Sequence, residues 1–138
     1  DDLGVLVTIG WLVREFKRSY RQLNLETSID VCEQEIPVSA KTAIYRIIQE
    51  ALSNVLMHAR ARNVFLTLRD YRGQFELIIQ DDGIGFDPVH VVAVADGGGV
   101  GVPSMRERAA ATGGCFTIDT EAGSGTTVRV AWPSQFSN

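Results

Sequence analysis

Two alternating apolar segments, "NVFLTLRD" (63–70) and "QFELIIQ" (74–80), are separated by only "YRG". That spacing predicts a β-hairpin. In the second segment Phe75, Leu77 and Ile79 share one face and Glu76, Ile78 and Gln80 the other, because side chains alternate along a strand. A ribbon with one apolar face is not stable until something covers that face. The chain carries the cover immediately upstream. Residues 40–59 read as a long helix whose apolar side comprises Ile44, Ile47, Ile48, Ala51, Val55 and Ala59, with Pro37 stopping the preceding segment and Ser39 as N-cap.

The remaining elements extend this pattern. Residues 3–20 place Leu6, Ile9, Val13, Phe16 and Tyr20 three or four apart, the stripe of a helix docked on a core, within a leading segment 1–22. In "NLETSIDV", Leu25, Thr27, Ile29 and Val31 alternate with polar residues as a half-buried strand. Residues 83–101 are glycine-rich, without steady periodicity, and too long to be an idle connection. "VPSMRERAAATGG" predicts a helix with Pro103 in its first turn, and "CFTIDTE" and "TTVRVAW" are two strands joined by "AGSG". Paired strands with three helices predict an α+β fold, a two-layer sandwich. Its mixed, mostly antiparallel sheet is covered on one face by the helices, in a single domain spanning 1–138.

With 138 residues, 45% of them hydrophobic, the chain can bury a core unaided. A net charge of −4 without a long block of either sign gives no support to a nucleic-acid groove or a basic membrane anchor. Cys32 and Cys115 have no CxxC spacing, so two reduced core thiols are expected rather than a zinc site. No apolar run approaches the ~18 residues of a membrane span, and no signal peptide is visible. The chain opens at Asp1 and reads as a piece of a longer protein.

Three features carry chemistry. Glu50, Asn54 and His58 sit four apart, a slanting stripe along the border of the long helix's apolar face. Such a stripe suits a pocket wall: Glu50 can accept a proton, Asn54 can offer an amide oxygen to hydrated magnesium, and His58 can reach a phosphate. Alternatively these residues satisfy nearby backbone groups and solvent. "DDGIGFD" (81–87) follows the hairpin. Asp81 continues the core-facing row, where a carboxylate needs a donor, and a purine amine would supply one. Gly83 and Gly85 allow the backbone a sharp turn and a close approach to a flat ring. An EF-hand is excluded by the carboxylate spacing, whereas a hairpin turn leaves unexplained why no strand follows directly. "DGGGVGVPSMRER" (96–108) leads glycines into a helix N-terminus that can bind an anion, but has neither a Walker nor a Rossmann spacing.

In order, these segments resemble the boxes of the GHKL ATP-binding superfamily. Within it they look like the catalytic and ATP-binding domain of a bacterial two-component sensor histidine kinase. "YRIIQEALSNVLMHARA" resembles its asparagine box, "DDGIGFD" the first glycine box, "GVGVPSMRERAAATGG" the second, and "GSGTTVRVAWP" the closing box. The opening helix and "MRER" are similar to the nitrate-sensor and thermosensor-like subgroup, which has a short lid, here 83–101. The resemblance implies that Asp81 accepts from the adenine amine, with Gly83, Gly85 and Thr126 shaping that end of the pocket. It implies that Asn54 holds Mg2+, Glu50 polarises or deprotonates the attacking group, and His58 lies near the phosphates. Gly99, Gly101 and Val102, the last where the family usually has leucine, would line the lid and phosphate path.

The implied activity is transfer of the ATP γ-phosphate to a histidine on a separate dimerisation domain, for relay to a response regulator. The acceptor is expected upstream, since His58 and His90 are the only histidines. A cytoplasmic location, a homodimeric parent and a monomeric fragment are expected with it, and no direct nucleic-acid contact. The rivals are a GHKL-type ATPase with water as acceptor, a related serine kinase of the anti-sigma-factor type, and a nucleotide-binding module without catalysis.

Overall fold

A computed structural model describes residues 4–85 and 101–134. Five strands form one sheet in the order β1-β2-β3-β5-β4. They are β1 Asn24–Asp30, β2 Asn63–Tyr71, β3 Gln74–Asp81, β4 Cys115–Thr120 and β5 Thr126–Pro133. The hairpin β2–β3 sits at its centre. β1 runs parallel to β2, while β2–β3, β3–β5 and β5–β4 are antiparallel. The parallel β1–β2 pair needs a crossover, which α2 (Val38–Asn54) supplies. With α1 (Val5–Ser19) and α3 (Val102–Ala111), the architecture is the expected α+β sandwich of a mixed sheet and three helices.

Strand alternation decides where the core lies. Leu66 pairs with Ile79, Leu68 with Leu77, Leu77 with Val130 and Phe75 with Trp132, so one face of the sheet is a continuous apolar row. Against it α2 presents Ile44, Ile47 and Ile48, all fully buried, each contributing about 1.5–3 kcal/mol of transfer free energy. Val5, Ile9, Val13 and Phe16 of α1 and Val102, Met105 and Ala109 of α3 join the same cluster. Phe75 and Trp132 stack with centroids 4.9 Å apart, and the Trp132 Nε1–H donates to Thr112 Oγ1 at 2.9 Å, tying the end of α3 to the sheet. On the opposite face Glu76 is fully buried between Arg69, 2.9 Å away, and Arg129. A carboxylate is tolerated there because both neighbours neutralise it.

α1 is held at its start by one side chain from elsewhere. Glu33, in a 3-10 turn at Glu33–Glu35, accepts from the Val5 and Leu6 N–H groups at 2.9 Å each, and Lys41 Nζ pairs with it at 2.7 Å. These amides are orphans of the first helical turn, so Glu33 acts as a cap supplied in trans.

The structure corrects several expectations. α2 begins at Val38, and its N-cap is Pro37, whose carbonyl accepts from the Ala40 N–H at 2.9 Å; Ser39 lies inside the helix and does not cap it. Tyr20 lies past the end of α1 and is 46% exposed. β1 is an edge strand that the helices cover only at its start. Leu25 is buried, Thr27 and Ile29 are exposed, and Val31 lies beyond the strand. Both cysteines are free and exposed rather than in the core. Cys115 pairs with Ala131 on the face the helices leave open, and Cys32 follows β1. No described helix is long and apolar enough to cross a membrane.

Candidate functional site

Asp81 is the last residue of β3 and lies on the core-facing row opposite Thr126 of β5 and Val64 of β2. It is buried, at 8% exposure. Its Oδ1 accepts the Gly83 N–H at 2.8 Å, an Asx-type turn that ends the strand. Burial pushes the carboxyl above the usual range; the Gly83 amide opposes this and the Asp82 charge adds to it. An ionised carboxyl offers about four acceptor positions, so this one backbone donor leaves room for others.

Asp82, one residue on, has a different task. It accepts from the Arg62 and Asn63 N–H groups at 2.9 Å each and from Asn63 Nδ2 at 2.8 Å. These bonds, led by the Asn63 amide, hold its carboxyl below the usual range and staple the end of β3 to the start of β2. The two neighbouring aspartates are thus separated into a buried acceptor and an exposed brace.

The turn between β4 and β5 completes this end of the sheet. Thr126 Oγ1 lies 2.9 Å from Thr120 Oγ1 on the neighbouring strand. Gly85 packs against the Glu121 carbonyl and 2.9 Å from the Gly125 oxygen, measured from where a Cβ would stand. Gly125 has φ +83°, and a Cβ there would collide with the Asp81 carbonyl. Gly125 is therefore a site-forming residue that sequence reasoning missed. The signal lay in the turn "AGSG", but nothing in a linear reading placed that turn on Asp81.

A second group lies on α2 and the start of α3. Glu50 and Asn54 are half-buried one turn apart, Asn54 being the last residue of α2. Among the described residues Glu50 has no hydrogen-bond or ion-pair partner. Gly101 precedes α3 with φ +69°, and a Cβ there would stand 2.7 Å from the Glu50 carboxyl carbon. Glycine thus lets the entry to α3 rest on the Glu50 carboxylate. Val102, the first residue of α3, is buried in the core.

The backbone of His58 lies in a π-helical turn, Val55–Ala59, that continues α2. Such wide turns depart from the 3.6-residue period and recur at functional sites. The side chain of His58, the whole of Gly99, and most of the proposed lid lie outside the described residues. The structure therefore brings Asp81, Gly83, Gly85 and Thr126 to one corner of the sheet, and Glu50 to Gly101.

The sequence over residues 39–135 matches the family of histidine kinase-, DNA gyrase B-, and HSP90-like ATPases. The chain belongs to this family. It is 29% identical over 133 residues to the signal transduction histidine-protein kinase/phosphatase DegS of Brevibacillus brevis, covering 96% of this chain and 33% of that protein. It is 32% identical over 136 residues to the signal transduction histidine-protein kinase/phosphatase UhpB of Salmonella typhimurium, covering 99% of this chain and 26% of that one. The chain thus spans a third or less of these relatives. Its fold is similar to the histidine kinase domain of the Erythrobacter litoralis blue-light activated histidine kinase, with a TM-score of 0.76 and 20% identity over 94% of this chain and 61% of that one. The corner at Asp81 joins the segments DDGIGFD and GSGTTVRVAWP, and the Glu50–Gly101 contact joins YRIIQEALSNVLMHARA to GVGVPSMRERAAATGG.

Proposed function

We propose that this domain binds ATP with the adenine at Asp81 and donates the γ-phosphate to a histidine presented by a separate helical domain. The observation that carries the reading is the buried Asp81 carboxylate, which the Gly83 amide holds in place without exhausting its acceptor capacity. The exocyclic amine of adenine is a donor of the required kind, and it relieves a carboxylate that burial disfavours. Gly83, Gly85 and Gly125 keep side chains from filling the space beside it.

At the other end, Glu50 has no hydrogen-bond or ion-pair partner among the described residues and is placed to polarise the attacking imidazole or remove its proton. Asn54, half-buried one turn further on, offers a neutral hard oxygen, the kind of ligand Mg2+ takes singly alongside substrate phosphates and water. Bound Mg2+ would neutralise charge on the phosphates. Chemistry of this type rests on positioning and charge stabilisation, which a rigid sheet corner and a helix provide. His58, Gly99 and Gly101 would complete the phosphate path, with Val102 anchoring the lid end of α3 to the core. The kinase names of the relatives support this acceptor over water. A response regulator as the next partner, a homodimeric parent and a cytoplasmic site of action follow from the same reading.

Incubation with γ-labelled ATP and a histidine-bearing dimerisation segment tests it. Acid-labile, base-stable label on the segment is expected. Release of phosphate without labelling would instead make the domain an ATPase, and neither outcome would leave a nucleotide-binding module.

A further inference from the structure

A cleft of about 260 Å³ lies between α2 and α3, lined by Arg46, Gln49, Glu50, Ser53 and Arg108. Residues 46, 49, 50 and 53 follow the i, i+3, i+4, i+7 spacing of one helical stripe, and Arg108 faces them from α3. Of the proposed site residues only Glu50 lines it; Asp81, Gly83, Gly85 and Thr126 do not. The volume is below the ~300–1,000 Å³ usual for a small-molecule pocket, so the cleft suits inserted side chains better than a nucleotide.

Its charge is unbalanced. Two guanidinium groups face one carboxylate, and among the described residues neither Arg46 nor Arg108 forms an ion pair. Arg46 only donates to Gln49 Oε1 at 3.3 Å on its own helix. Arg106, two residues before Arg108, is instead committed to the Phe116 ring, 4.8 Å from its centroid. The cleft therefore presents two cations, one from each helix, together with the group proposed to activate the acceptor.

We propose that this cleft receives the acceptor-bearing helical segment, and that Arg46 and Arg108 recognise an acidic side chain of that segment and so place its histidine at Glu50. The inference rests on the kinase reading and names the recognition device for its protein substrate. Arg46 and Arg108 are positioning residues on the surface, where charge pairs set encounter and register.

The test uses Arg46→Glu and Arg108→Glu, with Arg46→Gln and Arg108→Gln as milder variants, in transfer from γ-labelled ATP to the purified dimerisation segment. MgATP affinity, read by calorimetry, is expected to stay within about twofold of wild type, since neither arginine is among the residues proposed to hold the nucleotide. The KM for the segment is expected to rise about tenfold per charge reversal with kcat little changed. Replacing the matching Asp or Glu of the segment by Lys is expected to restore KM for the Glu variants. An unchanged KM overturns the proposal, and so does a matched loss of MgATP affinity, which would assign the arginines to the nucleotide. If wild-type domain transfers no phosphate at all, the kinase reading itself fails; if it transfers and the variants match it, only this inference fails.

Discussion

Replacing Asp81 by Asn separates binding from stability, and the two are expected to move in opposite directions. In the free domain the carboxyl is raised by burial, so its ionised form is disfavoured by folding. The sign follows directly: a carboxyl raised above its unfolded value contributes stability below the ordinary carboxylate range and loses it as pH rises through the raised value. Asparagine removes that charge yet keeps an acceptor oxygen for the Gly83 amide. Unliganded Asp81→Asn is therefore predicted to be as stable as wild type at about pH 7 or more stable, by up to ~1 kcal/mol, about 3 °C in Tm. Nucleotide binding should fall. With the amide oxygen turned to the backbone donor, the NH2 group faces the adenine amine, donor against donor. Losing a hydrogen bond to a charged acceptor costs about 1.5–3 kcal/mol, or about 10- to 150-fold in Kd. Differential scanning calorimetry and isothermal titration with MgATP measure the two halves. The reasoning is refuted if Asp81→Asn binds MgATP within about twofold of wild type, or if it melts several degrees lower without nucleotide.

Three other substitutions probe separate parts. Glu50→Gln is predicted to bind MgATP normally but to lose about 10²-fold or more in phosphotransfer, read as label on the acceptor segment; equal activity would remove Glu50 from the chemistry. Gly125→Ala places a side chain at φ +83° against the Asp81 carbonyl, so urea unfolding should show a loss of about 1–3 kcal/mol, and MgATP binding should weaken because Asp81 is displaced. Glu33→Gln weakens the cap on α1 and should cost about 0.5–2 kcal/mol at about pH 7. Burial alone would raise the Glu33 carboxyl, but Lys41 and the amides of Leu6 and Val5 outweigh it and hold it below the usual range. Its contribution is present above the ordinary carboxylate range and is lost as pH falls through the lowered value. The wild type and Glu33→Gln should accordingly converge in stability as pH falls through the lowered value, and a constant gap across the acid range would contradict the assignment.

Much of this was legible because short periodicities survive folding. The two-residue period of β3 placed Asp81 in the core-facing row, whereas its register opposite Thr126 depends on the β3–β5 pairing and was not legible. The 3.6-residue period of α2 set the buried face and carried Glu50 and Asn54 to its border. It applies only as far as Asn54, because the π turn that follows has a different geometry. What was illegible depends on which elements meet. Ile29 and Cys115 lie on strands read correctly, but the helices cover the edge strand β1 only at its start and Cys115 lies on the open face, so neither is buried. Pro37 capping α2 in place of Ser39 reflects a two-residue shift that propensity does not resolve. Gly125 over Asp81, and Arg108 opposite Arg46, are contacts between segments distant in the chain and leave no local pattern.

The central claim is that adenine is read by Asp81 at the corner of β3 and β5. A structure of the domain with Mg2+ and a non-hydrolysable ATP analogue tests it most directly, through the distance from the exocyclic amine of the base to the Asp81 carboxylate. The account predicts a hydrogen bond of about 2.7–3.2 Å, with the Gly83 amide still on the same carboxylate. A base bound elsewhere, with Asp81 engaged only by its own backbone, would contradict it.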